Sequence, residues 1–123
     1  MDEIELRIRK AEKLIQDAKK EFEMSIRGVV VPYYAMFHAT KAMLLSLGKD
    51  SKTHRRTIYL RWENKEKLKL SEDDCSKLSK AFDLREESDY GIFKEISGDL
   101  AEELLKDAED FINKAKNIIA EKT

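Results

Sequence analysis

A single proline and only four glycines in 123 residues most constrain this chain. β-Sandwiches and barrels reverse direction at many tight turns, and those turns consume both residue types. With Ala, Leu, Lys and Glu dominant, the composition instead favours an all-α fold. The glycines (Gly28, Gly48, Gly91 and Gly98) fall between periodic segments and serve as punctuation.

In the first segment Ile4, Ile8, Ala11, Ile15, Ala18 and Phe22 recur at spacings of four and three. That rhythm gathers them into one stripe on a helix of roughly 24 residues. The second segment, 30–47, places Pro32 where a first helical turn tolerates it and is apolar nearly all round, which predicts a central helix covered on several sides. A short third helix is expected from about Thr53 to Trp62, followed by a charged connector. A fourth opens at Ser71, where Ser71 and Asp74 form a capping pair, and presents Cys75, Leu78 and Phe82 before stopping near Ser88. The pair Asp99 and Glu102 opens a last helix with the stripe Leu104, Ala108, Phe111, Ala115 and Ile118.

Such faces bury one another side by side. The expected architecture is therefore a single domain over residues 1–123, an antiparallel up-and-down four-helix bundle with a short additional helix. The apolar coverage of helix 2 and of the last helix exceeds what so small a domain can hide, which suggests a homodimer.

With 24 basic and 25 acidic side chains the net charge is -1, so bulk charge cannot hold the protein to nucleic acid or membrane. The distribution is uneven. Residues 49–69 carry eight basic groups against three acidic, a surplus of five positive charges, and residues 72–110 carry fourteen acids against five bases. The basic stretch, with Lys52, His54, Arg55, Arg56, Tyr59 and Trp62, reads either as a solvated surface or as a grip for RNA phosphates with a base stacked beside it. One cysteine, Cys75, excludes an internal disulfide. The lack of a signal-peptide core or a membrane-length apolar run points to a cytoplasmic protein without membrane attachment.

No metal site or cofactor is expected. The Glu-x-x-His pairs of di-metal bundles are missing, since Ala35 precedes His38 by three and Ser51 precedes His54 by three. The glycines stand singly, so no phosphate loop forms either.

Two polar anomalies remain. Tyr34, His38 and Lys41 share one narrow face of the buried second helix. Either Lys41 snorkels outward while His38 bonds a carbonyl, or the three line a cleft. On the fourth helix Arg85 continues the inward stripe where a leucine would be expected. It either pairs locally with Asp89 or binds phosphate at a cleft mouth, supported by Asp89 and Tyr90.

The run from Pro32 to Leu45 (PYYAMFHATKAMLL), then Ser51-Lys52-Thr53-His54, and later the run from Phe82 to Gly91 (FDLREESDYG) resemble the HEPN superfamily. They are most similar to its stand-alone branch with a YYAxFHAxKALL helix and an R-x-x-x-DYG corner. The resemblance implies an antiparallel bundle that dimerises around a shared cleft, paired with a small nucleotidyltransferase as toxin and antitoxin. It also implies kinship with metal-independent endoribonucleases whose motif is Arg, four to six residues, then His. Arg85 matches the arginine. The positions where the histidine should stand are Tyr90, Gly91 and Ile92.

The expected function is accordingly an RNA- or nucleotide-binding module, catalytically weak or inactive. Arg85, Asp89 and Tyr90 stand at its catalytic position, and Tyr34, His38, Lys41, Lys52, His54, Arg55 and Arg56 form its binding surface. Two alternatives stay open: an active endoribonuclease in which His38 or His54 replaces the missing residue, and a scaffold that binds no ligand.

Overall fold

The structure, a computed structural model, describes residues 2–20, 27–89 and 98–121. These form five helices: α1 (Glu3–Lys20), α2 (Arg27–Ser46), α3 (His54–Glu63), α4 (Glu72–Asp89) and α5 (Gly98–Glu121). Among the described residues there is no strand, and no helix is long and apolar enough to cross a membrane.

The expected all-α bundle with one short extra helix is what forms. Contacts between neighbours fix the directions. Arg7 near the start of α1 meets His38 late in α2, Lys116 of α5 pairs with Glu12 of α1, and Lys114 of α5 reaches Asp74 at the start of α4. Each pair runs antiparallel. Helix α2 is central and packs against all four others. Every side chain from Pro32 to Leu44 is buried except that of Tyr34, as its all-round apolarity predicts.

The stripes of the outer helices close on it: Ile8, Ala11 and Ile15 from α1, Leu78 and Phe82 from α4, and Leu104, Ala108, Phe111, Ala115 and Ile118 from α5. Ile4 is partly buried against the same core. Phe22 lies outside the described residues.

The glycine punctuation holds at Gly48 and fails at Gly28. Gly48 adopts φ 74°, and the bonds Gly48 N to Leu45 O and Lys49 N to Leu44 O close α2 in a Schellman cap. Helix α2 begins before Gly28, at Arg27, so Pro32 sits in its second turn rather than its first. A proline there removes one backbone bond, a cost that packing of the central helix outweighs. The capping pair at α4 forms reciprocally, Asp74 N donating to Ser71 Oγ (3.1 Å) and Ser71 N to Asp74 Oδ2 (3.0 Å). The side chain of Asp99 lies outside the described set, and the predicted box at α5 with it.

Candidate functional site

Four helices bring polar groups to one end of the bundle. The sequence Tyr33-Tyr34-Ala35-Met36-Phe37-His38 turns two adjacent faces of α2, one holding Tyr33 and Phe37 and the other Tyr34 and His38. Against them lies the amino terminus of α3. Thr53 is its N-cap and accepts a hydrogen bond from Arg56 N (3.1 Å), which sets His54 as the first helical residue.

The loop before it is tied down from beneath. The ammonium of Lys41, only 6% exposed, donates to the Asp50 carboxylate and to the Ser51 carbonyl (2.5 Å), and the Ser51 and Thr57 hydroxyls bond each other. Lys41 therefore neither snorkels outward nor lines a cleft. A buried ammonium needs acceptors within reach, and this loop supplies two. Lys41→Met should cost about 1–3 kcal/mol by leaving that carbonyl without its donor, measured as a lower urea midpoint.

So held, the His54 ring stacks on Phe37, with centroids 4.1 Å apart and planes 7° from parallel. Its Nδ1 lies 2.5 Å from the Tyr33 hydroxyl. From α4, the guanidinium of Arg85 stands 5.1 Å from the Tyr34 ring centroid and 5.6 Å from that of Tyr33. Tyr34 presents its ring to Arg85 and also to both histidines, at 5.9 Å from His54 and 6.5 Å from His38. On the far side, Arg7 of α1 places Nη1 2.8 Å from His38 Nδ1.

These contacts assign the protons. A guanidinium only donates, so His38 Nδ1 accepts from Arg7 and the ring carries its proton on Nε2. Burial, reinforced by the positive charges of Arg7 and Lys10, lowers the His38 pKa to about 4, so the ring is neutral at pH 7. Burial pushes the Tyr33 hydroxyl up, so it keeps its proton, and Arg85 acts on its oxygen both by charge and as a hydrogen-bond donor. The oxygen thus receives Arg85 while its proton goes to His54 Nδ1. His54 is held below its ordinary value by burial and then by Arg85, and presents Nε2–H. Around Tyr34 the site offers donors: two arginines and two neutral imidazoles.

Of the residues expected from sequence, Tyr34, His38, His54 and Arg85 are brought together. Lys52, Arg55 and Arg56 are exposed on the adjoining surface, with Arg55 4.0 Å from Glu86 and Arg56 5.1 Å from the Tyr59 ring. Tyr90 and the side chain of Asp89 lie outside the described residues. His38 bonds an arginine rather than a carbonyl. Two members of the basic stretch turn inward: Arg61 is fully buried, and the Trp62 indole donates to Ser79 Oγ (3.2 Å), which commits that edge to α4.

Sequence reading missed Arg7, Tyr33 and Phe37 as site residues. The test that singled out Arg85, a cation on an apolar stripe, would also have found Arg7, three after Ile4 and four before Ala11. Among the described residues no three His, Cys, Asp or Glu side chains gather as metal ligands.

Residues 4–118, which include all of these side chains, match a family model described as HEPN domain. The chain belongs to the HEPN family. A UPF0332 protein of Archaeoglobus fulgidus is 72% identical over 121 residues, covering 97% of each chain. A second relative, from Methanocaldococcus jannaschii and named "Putative toxin", is 31% identical over 125 residues, covering 98% of this chain and 84% of its own. This HEPN chain is thus a member of a family that includes a toxin-like protein.

Proposed function

We propose that this HEPN protein binds RNA through its phosphates at the Arg85–His54 end of the bundle and acts as the toxin-like half of a pair. Its partner would be a small nucleotidyltransferase serving as antitoxin, and its own assembly a homodimer in the cytoplasm. One observation carries the binding reading: each histidine has its Nδ1 engaged by a donor, Arg7 at His38 and the Tyr33 hydroxyl at His54, so both rings keep their proton on Nε2, while the Arg85 guanidinium stands over the Tyr33 and Tyr34 rings. Such a constellation receives an anion and has no free imidazole lone pair to take a proton from a ribose hydroxyl. The module is accordingly a binder with weak or no cleavage activity. The toxin-like role rests on family membership and on the printed name of the Methanocaldococcus relative.

The test is titration of a fluorescein-labelled single-stranded RNA by fluorescence anisotropy at several salt concentrations. Arg85→Gln should weaken binding about tenfold or more, and the wild type should leave the RNA uncut. Absence of binding at low salt overturns the reading. Co-purification with a nucleotidyltransferase, and a dimer mass by light scattering, test the assembly.

A second reading is favoured by the proximity of Arg85, Tyr33 and His54. If RNA binding turns the Tyr33 O–H toward another acceptor, His54 moves its own proton from Nε2 to Nδ1 through solvent, donates to the Tyr33 oxygen and frees Nε2 as a general base, while Arg85 holds the scissile phosphate. That enzyme cleaves RNA, and both His54→Ala and Arg85→Ala abolish the cleavage. His38 is the poorer base, because Arg7 never yields the Nδ1 position.

A further inference from the structure

The helix that sets His54 against Phe37 also turns a second face outward. Arg55 and Arg56 follow His54, and Tyr59 stands four and three residues beyond them, so the three share one side of α3, a turn apart. The Arg56 guanidinium accordingly lies 5.1 Å from the Tyr59 ring centroid. Tyr59 is 55% exposed, although Thr57 and Leu60 of the same helix are buried. Trp62 is partly buried and donates to Ser79 Oγ. Tyr59 is thus the aromatic ring that α3 leaves in solvent.

The charges on this face have one sign. Lys52, Arg55 and Arg56 are exposed, and no carboxylate occurs in the sequence from Lys52 to Tyr59. Glu63, one turn beyond Tyr59, is the first acid of the helix. The Arg55 side chain is 82% exposed and reaches Glu86 of α4 only at 4.0 Å, a contact weak enough to exchange for phosphate. Glu86 adjoins Arg85 in sequence, as Arg55 adjoins His54. The surface therefore begins where the phosphate site ends.

We propose that the Arg56–Tyr59 face of α3 extends the RNA site, with an unpaired base stacked on Tyr59 and phosphates held by Arg55 and Arg56. This rests on the phosphate-binding reading above and names its ligand class, a single strand that runs from the Arg85–His54 end onto α3. An exposed cation–π contact is weaker than the stacking of a base on an aromatic ring. A base therefore displaces the Arg56 guanidinium from Tyr59 and frees it for the backbone. Only an unpaired base can do so, because a duplex keeps its bases stacked within and presents phosphate and ribose. Carboxylates of a protein partner would satisfy the arginines without covering the ring, so a base is the better occupant.

The test uses a fluorescein-labelled uridine 12-mer in anisotropy titrations. Its competitors are an abasic 12-mer with the same phosphates, an RNA duplex of the same length, and decaglutamate. Tyr59→Ala should weaken 12-mer binding about fivefold or more, and Tyr59→Phe, which keeps the ring, should bind as the wild type does. Neither the abasic strand nor the duplex should distinguish Tyr59→Ala from wild type. The double variant Arg55→Gln/Arg56→Gln should lower the salt slope of 12-mer binding by about 1.4, the loss of two phosphate contacts on a single strand. These side chains are exposed, so circular dichroism melts of all three variants should match the wild type.

If Tyr59→Ala binds the 12-mer unchanged while Arg85→Gln weakens it, the α3 platform is wrong and the binding reading stands. If Tyr59→Ala weakens the 12-mer and the abasic strand alike, the ring only positions the arginines and the stacking proposal fails. Decaglutamate that displaces the 12-mer as well as unlabelled RNA does would make the face a reader of negative charge, which also overturns it. If the wild type does not bind the 12-mer at low salt, both proposals fall together.

Discussion

Arg61→Met should raise the urea midpoint, by about 1–3 kcal/mol in unfolding free energy, and Arg61→Ala should lower it by about 2–5 kcal/mol. Arg61 is fully buried, and its guanidinium lies 4.1 Å from the Phe111 ring centroid. One nitrogen, Nη2, donates to the Asp74 carbonyl, while Nε and Nη1 have no hydrogen-bond partner among the described residues. Desolvation lowers its pKa to about 10, only partly offset by the neighbouring Cys75 thiol and the Asp74 carboxylate. That carboxylate is already engaged by Ser71 and Lys114.

Two orphaned donors and a desolvated cation cost more than one carbonyl bond and an aromatic face return. Methionine keeps the volume and the contact with Phe111 without those costs, whereas alanine opens a cavity. Both states carry the Arg61 charge throughout the neutral range, so the Met effect should be equal at pH 6 and pH 8. A methionine variant less stable than wild type, with the m-value unchanged, would show the cation to be fully compensated.

The same residue shows what a sequence can and cannot convey. The helices are legible because their signals are local: apolar stripes at spacings of three and four, and the capping pair Ser71 and Asp74. Arg61 is not legible. It sits in a run of basic residues that reads as a solvated surface, and only the packing of α3 against α4 and α5 buries it. The candidate site divides in the same way. Arg85 and the Tyr34–His38 face were visible as polar groups on apolar stripes. The partners that decide their protonation are Arg7, 31 positions from His38, and Tyr33, 21 positions from His54. No periodicity encodes which of two helices will supply the donor. Lys41 was visible as an anomaly but misread, because its acceptors, Asp50 and the Ser51 carbonyl, belong to a loop whose path follows from the Gly48 cap.

Acidification from pH 7 to pH 4 should remove about 3 kcal/mol of stability through His38 alone. Its pKa falls from an ordinary 6.5 in the unfolded chain to about 4 in the fold, driven first by burial and then by Arg7, Lys10, His54 and Lys41. Between those values the unfolded state binds a proton that the folded state refuses. Stability is therefore complete above pH 6.5 and is lost as pH falls through that window. His54 is depressed in the same direction, by burial and then by Arg85 and Lys41, and adds to the loss.

Asp50 and Asp74 also lie below their ordinary value, Asp50 chiefly through its bond from Lys41, Asp74 against the opposing effect of burial. Their contributions disappear only at still lower pH, beneath the histidine window. His38→Asn separates the two ranges, because an amide oxygen can accept from Arg7 as Nδ1 does but does not titrate. Urea unfolding at pH 7, 5.5 and 4 should show the variant losing about 3 kcal/mol less than wild type across that range. Parallel losses would mean that His38 takes up its proton freely in the fold, and the Arg7 bond that assigns its tautomer would then be absent.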